Sequence, residues 1–517
     1  MLVCVLMAVC PVNTTQSQVS SEVIEVHFQT ENFPQIEGNF IAEFEISSKW
    51  SGIEVLDQHL EWQNCPSSDE FIIDARPSWF VVRGIHSNSF LAQTRIPAFR
   101  IENGGTQRLV GMTAVIAASP SAHTRVERNW PEHSVLSEGS WLRFGTTEEG
   151  IHKIDYSDLV ASGIDPDTLD FSRLQLYGSG GRQLPFENDT DRPLDLPLIS
   201  IETIGESDGS FDASDAIYFH ASGVDSWSYN DASQRWVHDL HAWSDSAFYF
   251  LRLDGPADVE GSRIIVAEEI TQSATEEWDS HWAKMFHEVE LVNIAQSGRE
   301  FYGEHFTYLG SQVFGVYFNM PNLVGDTGYV DARIAGRTLG ATSDYGLLCN
   351  GELASTSDIS LSENSLLIAQ KHNLTIATNM SGDGISVEMS FSPGNSEAQG
   401  WIDYVRVQAR QNLIFESGQF HVNGTENISA SETAGYTLSN AGSVESVWDV
   451  TDPLRPQVCI METVGENVIR WVAERDTTRK FVAFRHAASL TVLPLGSVDN
   501  LDIHSIRDHA SQFSFDN

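Results

Sequence analysis

Residues 385–391 read Ile385-Ser386-Val387-Glu388-Met389-Ser390-Phe391, with apolar and polar side chains in strict alternation. Successive side chains of a β-strand point to opposite faces, so this pattern predicts a strand with one buried face. The same alternation recurs at 40–46 and at 404–409. It is typical of antiparallel sheets that pack one face on a core and leave the other in water. Antiparallel strands are therefore the predicted building unit of the chain.

Turn-forming dipeptides separate the predicted strands. They are Asn103-Gly104, Gly180-Gly181, Asp208-Gly209, Asp383-Gly384 and Asn423-Gly424. Gly and Asn adopt the positive φ that tight hairpin turns need. The sequence shows no repeat of fixed period, which argues against solenoids and propellers. The predicted fold class is all-β, with several domains of antiparallel β-sandwich type and a few short helices.

Two short helices are predicted between the strands. The first covers 155–163, where Asp155 or Ser157 can accept hydrogen bonds from the first free amides and Gly163 suits the left-handed end of a helix. The second runs from about Trp278 to Lys284.

The chain has 517 residues, enough for several domains that each bury a core. Its 41% hydrophobic content, with 38 Gly and 17 Pro, excludes collagen-like and wholly disordered chains. Changes in composition indicate the boundaries. The predicted segments are a signal peptide at 1–18, an N-terminal β domain at 19–135, a β-rich domain with a short helix at 136–260, a jelly-roll-like β-sandwich at 275–412 and a C-terminal β segment at 413–517.

The charge and the N-terminus bear on partners and location. With 30 Lys+Arg and 72 Asp+Glu the net charge is −42, so the surface repels phosphate backbones and nucleic acid is excluded as a partner. Residues 1–10 are apolar and have the length of a secretory hydrophobic region, well short of the roughly 20 residues of a membrane span. The sequence predicts export by an N-terminal signal, to a secreted or cell-surface location, without a membrane span. A missing upstream start or a short buried strand is the alternative interpretation of this run.

Cysteine is scarce. Of the five cysteines, Cys4 and Cys10 lie in the predicted signal, and Cys65, Cys349 and Cys459 are too few for a disulfide scaffold. No CxxC spacing occurs, which excludes the sequence signals of a thiolate zinc site and of a thioredoxin-type redox pair. A catalytic cysteine needs a partly exposed, electropositive setting with a general-base histidine, and none of the three has that setting in the sequence.

Acidic and histidine clusters suggest metal ligands. Asp208, Asp212 and Asp215 lie in one acidic turn before a strand and could converge on Ca²⁺, although the alternating spacing of an EF-hand loop is missing. A solvated acidic turn is the alternative interpretation. His238 and His241, with Asp245, form a weaker candidate. Calcium is therefore the one inorganic ligand that the sequence suggests, and no organic cofactor is predicted.

Aromatic residues concentrate between residues 227 and 243. Trp227, Tyr229, Trp236 and Trp243 are the predicted contact surface, because rigid amphipathic rings lose little conformational entropy on binding. The alternative is that these rings fill a sandwich core and its loops.

From Ser137 onward, an ordered series of segments resembles the non-catalytic N-terminal region of the type IX secretion sortase family (PorU), gingipain-type cysteine peptidases. The segments are Ser137–Phe144, Glu149–Leu159, Leu174–Gly181, Asp208–Phe219, Trp227–Tyr229, Phe248–Leu251, Ser297–Glu304, Gly400–Arg406 and Val447–Pro453. Each segment is a weak signal by itself, and the specificity lies in their order.

The resemblance implies a β-rich region that precedes a caspase-like domain. In that family a His/Cys dyad removes a C-terminal sorting domain from secreted cargo at the cell surface. No Gly-His-Gly segment and no nucleophilic cysteine after it occur here, so no catalytic residue is carried over, and the peptidase domain would be expected to follow Asn517. Outer-membrane components of type IX secretion, or its cargo proteins, are the implied partners.

The resulting hypothesis is a non-catalytic scaffold of a type IX secretion sortase-like protein. One alternative is a cysteine-type peptidase by family membership, acting through a dyad that the sequence does not reveal. The other is a surface carbohydrate-binding or adhesin-type β-sandwich, in which the aromatic loop would hold a sugar.

Overall fold

The computed structural model describes strands between Glu22 and Ser119 and most of residues 131–505. The gaps in the latter range are 186–189, 191, 231–232, 234, 258, 297, 299, 363–364, 366 and 425–428. The chain divides into two compact units, one of residues 1–129 with 187–190 and one of residues 130–186 with 191–517. The predicted signal at 1–18, and Cys65, lie outside the described residues.

The first unit contains two four-stranded antiparallel sheets. Its described strands are β1 (Glu22–Gln29), β2 (Gln35–Ile36), β3 (Asn39–Ile46), β4 (Gly52–Asn64), β5 (Ser78–Arg83), β6 (Phe90–Pro97), β7 (Phe99–Glu102) and β8 (Gly105–Ser119). One sheet has the order β1-β8-β4, with β7 also on β8, and the other the order β2-β3-β6-β5. The strand predicted at 40–46 is confirmed as part of β3.

The second unit begins with short strands and one helix. These are β9 (Trp141–Thr146), β10 (Glu149–Asp155), α1 (Tyr156–Ala161), β11 (Gln175–Tyr177), β12 (Leu198–Ile199), β13 (Glu202–Ile204), β14 (Ala216–Ser222), β15 (Ser226–Asn230), β16 (Arg235–Asp239), β17 (Ala247–Arg252) and β18 (Ile265–Val266). Short 3₁₀ turns occur at Val135–Ser137, Pro166–Thr168, Phe171–Arg173, Glu206–Asp208 and His486–Ala488.

Long strands follow, and then the strands of the C-terminal segment. The first group is β19 (Glu276–Trp278), β20 (Ser280–Glu288), β21 (His305–Phe306), β22 (Gln312–Arg337), β23 (Thr342–Cys349), β24 (Glu352–Ser360), β25 (Gln370–Ser392) and β26 (Gln399–Asn412). The second is β27 (Gln419–Asn423), β28 (Ser429–Leu438), β29 (Ser446–Asp449), β30 (Gln457–Val458), β31 (Glu462–Gly465), β32 (Val468–Arg475), β33 (Lys480–Phe484), β34 (Leu490–Thr491) and β35 (Leu493–Val498).

The all-β fold class is confirmed, and α1 is the single α-helix in the described part of the chain. The first predicted helix is confirmed, with Asp155 as its N-cap. The second, at 278–284, is wrong: Ser280 to Glu288 form β20, which pairs antiparallel with β26 from Ser280↔Asn412 to Glu288↔Tyr404. The neighbouring β26 supplies a ladder of backbone partners, and such tertiary pairing overrides weak local helix preference.

Four sheets stack in layers. Sheet A is β12-β11-β17-β9-β35, sheet B is β13-β14-β10-β34, sheet C is β18-β30-β29-β33-β27 and sheet D is β19-β28-β32-β31. Alternate side chains of β14 lie on opposite faces of sheet B, so Ile217 and Phe219 join a core with sheet A, and Tyr218 joins a core with Trp448 and Phe484 of sheet C. A third core, with Trp471, lies between sheets C and D.

The stack draws its strands from distant parts of the chain. β34 pairs with β10 and β35 pairs with β9, while β18 pairs with β30 and β19 with β28. Strands of the 136–260 segment and of the 413–517 segment are therefore neighbours in the same sheets. The last described strands complete sheets that begin with the first strands of this unit.

The remaining large sheet, sheet E, has the order β20-β26-β22-β25-β23-β24, with β21 also on β26. The 26-residue β22 pairs with β25 on both sides of a register shift between Asn319 and Leu323. Apolar side chains before and after this shift meet in one core, where Ile385, Val387, Met389 and Phe391 are fully buried. The strand predicted from 385–391 is thus confirmed, with the face that the alternation assigns to the core. Among the described residues, no helix has the length and apolar character needed to cross a membrane.

Candidate functional site

The aromatic segment singled out in the sequence forms the hairpin β15–β16, which packs against sheet E. The backbone N–H of Trp236 donates to Gln408 Oε1 at 2.9 Å, and the Arg235 guanidinium contacts Asp331 Oδ1 at 2.7 Å. His238 stacks on Phe286 of β20, with 4.3 Å between ring centroids. Strand β16 is therefore fixed by buried contacts to β20, β22 and β26.

The four predicted contact residues occupy different environments. The Trp236 side chain is only 2% exposed, and Tyr229 packs edge-on against it at 5.6 Å between centroids. Trp227 is half-buried beside Phe286 at 5.8 Å. Trp243 lies in the loop after the hairpin and is 70% exposed. Of these rings, Trp243 is thus the one that faces solvent most fully.

A layer of buried charge lies beneath the hairpin. Asp331 Oδ1 contacts Arg235 at 2.7 Å, Asp331 Oδ2 contacts Arg406 at 3.2 Å, and His238 Nε2 lies 2.6 Å from Glu288 Oε2. Burial raises the pKa of Glu288 to about 7, with the nearby Asp403 adding to the rise. Burial also lowers the pKa of His238 to about 4, helped by the positive charge of Arg406. Near neutral pH His238 is therefore neutral and Glu288 is partly protonated, so the contact is not a simple ion pair.

Beside this layer is a recessed cavity of about 310 Å³, here called the Lys284 cavity. It lies where strands of sheets B, C and E and the hairpin come together, and its walls combine charged, polar, aromatic and apolar side chains. Its polar and aromatic lining includes Glu149 of β10, Trp227 of β15, Lys284 of β20, His421 and Asn423 of β27, and Lys480 of β33.

Lys284 is held at a fixed position in the cavity wall. Its Nζ donates to Asn423 Oδ1 at 2.7 Å and lies 3.8 Å from the centre of the Trp236 ring. Asn423 in turn donates from Nδ2 to the Trp282 carbonyl at 2.9 Å and from its backbone N–H to His281 Nδ1 at 3.2 Å. These bonds join β20 of sheet E to β27 of sheet C at the cavity.

The surroundings of the charged side chains in the cavity shift their pKa values. Burial lowers the pKa of Lys284 well below its usual range, and the positive charge of Lys480 adds to this effect. Burial likewise lowers the pKa of Lys480. Burial works against the Glu149 carboxylate, but the potential of His421, His220 and Lys480 outweighs it and lowers the pKa of Glu149. A bound anion would oppose the shifts of the two lysines, because a negative charge nearby favours the protonated amines.

The three aspartates proposed for Ca²⁺ are engaged in local hydrogen bonds. Asp208 accepts from Ser210 N at 3.0 Å, Asp212 accepts from Ser214 N at 2.9 Å, and Asp215 accepts from the backbone N–H of Asp212 at 2.8 Å. Within the described ranges, no group of three or more His, Cys, Asp or Glu side chains is arranged to hold a metal ion. The carboxylates thus act as turn caps, and calcium binding by them stays a prediction.

The other candidates from the sequence are also accounted for. His241 Nδ1 accepts from the backbone N–H groups of Trp243 and Ser244, at 3.2 and 2.9 Å. Cys349 and Cys459 are buried, and burial raises the pKa of both thiols. Neither described cysteine has the low pKa of a nucleophilic thiolate.

The sequence did not single out Lys284, Lys480 or Glu149 as site residues. They lie on strands of three sheets and share no local pattern. One signal was available: Trp282, Lys284 and Phe286 alternate, so a strand there carries a lysine on an aromatic face. The helix predicted over the first part of this segment concealed it.

Comparison with known proteins gives a similarity of fold to a solved structure. No described protein family matches the chain, and no curated protein matches it. A crystal structure of dimeric latent PorU from Porphyromonas gingivalis matches with a TM-score of 0.62 and 24% identity over 72% of this chain. The match covers 34% of that PorU chain, so this protein corresponds to about a third of its length.

A second solved structure is the CBM36-1 domain of a multidomain xylanase from the hindgut metagenome of Trinervitermes trinervoides. It matches at 14% identity, covers 24% of this chain and 96% of that chain, and has a TM-score of 0.18. At this TM-score the second structure gives no information on the fold of this chain. The similarity to PorU, with its TM-score of 0.62, shows that this chain has a PorU-like, all-β fold.

Proposed function

We propose that the chain is the non-catalytic scaffold region of a type IX secretion sortase-like protein, exported to the cell surface. The observation that carries the proposal is the PorU-like fold, which extends over 72% of the chain. The ordered segments from Ser137 to Pro453 support it from the sequence side. In this role the stacked sheets position cargo, or dock to outer-membrane components of the secretion system, without breaking bonds.

The burial of the described cysteines supports a scaffold over a peptidase. Cys349 is 5% exposed and Cys459 7% exposed, and neither thiol has an ion pair or hydrogen bond to a histidine within the described residues. A peptidase nucleophile must reach its substrate and needs a base beside it. These two thiols are placed as small apolar side chains in their cores.

Binding without cleavage is the test. The purified full chain is titrated with the C-terminal sorting domain of a type IX cargo protein, and the same cargo without that domain is the matched control. We expect saturable binding of the sorting domain and no shorter product on a gel. A thiol-reactive peptidase inhibitor should label no cysteine at neutral pH, and labelling of one cysteine with cargo cleavage would establish the peptidase alternative instead.

One observation favours a second candidate, a carbohydrate-binding or adhesin-type surface protein. Trp243 presents 70% of its surface to solvent, and an exposed indole is a ring on which a sugar can stack. A glycan array that gives saturable binding with the natural chain, and none with Trp243→Ala, would favour this candidate. Equal signals from both proteins would remove it.

A further inference from the structure

The Lys284 cavity contains two partly buried lysines and, in the described part of the chain, a single carboxylate, that of Glu149. Lys284 and Lys480 both line it, and among the described residues neither ammonium group has an ion pair. Glu149 acts on them only through space, and Arg182 adds further positive potential. Buried charges in proteins are normally paired, because an unpaired charge loses its hydration without compensation. The two ammonium groups therefore have one carboxylate between them, and the recess could accommodate a second anion.

Two lysines in one recess are unusual in so acidic a protein. The chain has a net charge of −42 and only 30 Lys and Arg side chains, so cations are scarce. Two of the lysines nevertheless meet in one recess, and one is held there by Asn423 at 2.7 Å. A Lys Nζ has three donors, and the bond to Asn423 uses one of them. The recess thus offers two lysine side chains, one of them held in place with donors left over, in a molecule whose net charge repels anions.

Size and charge define the class of ligand. A cavity of about 310 Å³ has room for a small organic molecule, and the apolar side chains of Ala283, Met320 and Phe481 form part of its wall. Two lysines and one glutamate give the recess at most one net positive charge from these groups, reached when both amines are protonated, and a bound carboxylate would favour that protonation. Glu149 opposes a second negative charge, which disfavours phosphate and dicarboxylates. A monocarboxylate with a short apolar part fits these walls.

We propose that the Lys284 cavity is a binding site for a small monocarboxylate, with Lys284 and Lys480 holding the carboxylate and the apolar wall holding its carbon chain. Free short-chain acids and the C-terminal carboxylate of a short peptide share this chemistry. The site is independent of the type IX secretion role, because it depends on the cavity alone. If the cavity binds no monocarboxylate, the proposed secretion role is unaffected. If the secretion role is wrong, the monocarboxylate site is likewise unaffected.

The test is calorimetric titration of the full chain with matched ligands at constant ionic strength. Sodium butyrate and butyramide have similar shapes and differ in charge, and Ala-Ala represents a peptide carboxylate. We expect saturable binding of butyrate or of Ala-Ala and no binding of butyramide. Binding of butyrate alone assigns the site to free acids, and binding of Ala-Ala alone assigns it to peptide termini.

Variants locate the binding. Lys284→Met and Lys480→Met should each weaken binding by about tenfold or more, because each removes one charge-assisted contact. Lys371→Met is the matched control, since Lys371 pairs with Glu300 and does not line the cavity, so this change should leave binding unchanged. Glu149→Gln should tighten binding and admit inorganic phosphate, because it removes the opposing charge.

Three results would overturn the proposal. They are equal heats from butyrate and butyramide, full binding in both lysine variants, and tighter binding of phosphate than of butyrate by the natural chain. If Lys284→Met does not fold, Lys480→Met and Glu149→Gln still test the proposal. The proposal predicts weaker binding for the first variant and tighter binding for the second.

Discussion

At the scale of single residues, Glu288 links the charge layer under the hairpin to pH. Its pKa is raised to about 7, above the ordinary value of 4.5, mainly by burial. Arg406 Nη1 lies 3.5 Å from His238 Nδ1, so Nε2 carries the proton and donates to the Glu288 carboxylate. Because the folded-state pKa is raised, the contribution of Glu288 to stability is full below about pH 4.5 and is lost as pH rises through about 7.

Glu288→Gln should therefore raise the melting temperature at pH 8 and have a smaller effect, or the opposite one, at pH 5. The glutamine keeps an acceptor for His238 and cannot ionise. His238 acts in the other direction, since its contribution is lost as pH falls from 6.5 to about 4, but it is common to both proteins and cancels in the comparison. Thermal unfolding of both proteins from pH 5 to pH 8 measures the effect. The exposed Glu397→Gln is the control, and a difference independent of pH would contradict the prediction.

The residues of the site show what a sequence can reveal at this scale. Trp227 was found because it belongs to a dense local group of rings, and it does line the Lys284 cavity. Lys284, Glu149 and Lys480 were missed because they are separated by 135 or more positions and meet only through sheet packing. Local patterns specify which face of a strand is buried, but they do not specify which distant strand shares a cavity.

At the scale of elements, the hairpin β15–β16 is a two-stranded sheet that depends on its neighbours. An isolated hairpin is marginal in water. Trp236 fills the contact with sheet E, so Trp236→Ala should cost about 3–5 kcal/mol in the free energy of unfolding. Trp243→Ala should change it by no more than about 0.5 kcal/mol, because that ring is exposed. Urea unfolding of the two variants is the measurement, and equal effects would contradict the assignment of one ring to packing and the other to solvent.

The helix α1 carries a second prediction at this scale. Asp155 Oδ1 accepts from Ser157 N at 3.0 Å and from Asp158 N at 3.3 Å, and Asp158 Oδ2 accepts from Asp155 N at 2.9 Å, which completes a capping box. Asp155→Ala should lower stability by about 1 kcal/mol. Asp155→Asn keeps an N-cap acceptor and loses only a partly exposed contact with Lys153, so it should cost much less. Equal losses in urea unfolding would show that the ion pair, and not the cap, is the source.

Helix α1 and strand β20 differ in how well the sequence predicts them. The signals of α1 are local, since Asp155, Ser157 and Gly163 lie within nine residues, and the helix was predicted correctly. The segment 278–284 contains the N-cap residue types Asp279 and Ser280, but no glycine follows it to end a helix. Its state is decided by β26, which lies more than 100 residues later in the chain. A strand whose partner is distant has little to distinguish it from a short helix in the sequence.

For the whole molecule, the alternating sequence pattern predicted β-sandwiches. The structure contains a stack of four sheets, in which an inner sheet is covered on both faces. Strand β14 is buried at every position because sheet B lies between sheets A and C. Its sequence, AIYFHAS, is nearly continuous in apolar residues and lacks the alternation of a half-exposed strand. Such a run is consistent with burial on both faces. The covering sheets, however, come from residues 141–252 with 493–498 and from residues 265–266 with 419–484, which no local pattern connects.

The C-terminal strands β34 and β35 belong to sheets B and A, and we expect both sheets to depend on them. β35 pairs with β9 from Leu493↔Gly145 to Val498↔Trp141, and Val492 enters the core that holds Leu142 and Phe144. A chain that ends at residue 489 would leave β9 as an open edge and expose this core. We expect its melting temperature to fall by roughly 5 °C or more, since each kcal/mol moves a domain of this size by a few degrees. A chain that ends at residue 505 keeps both strands and is the control. If the two truncated proteins melt alike, the C-terminal strands do not complete the stack, and the four sheets draw their stability from elsewhere.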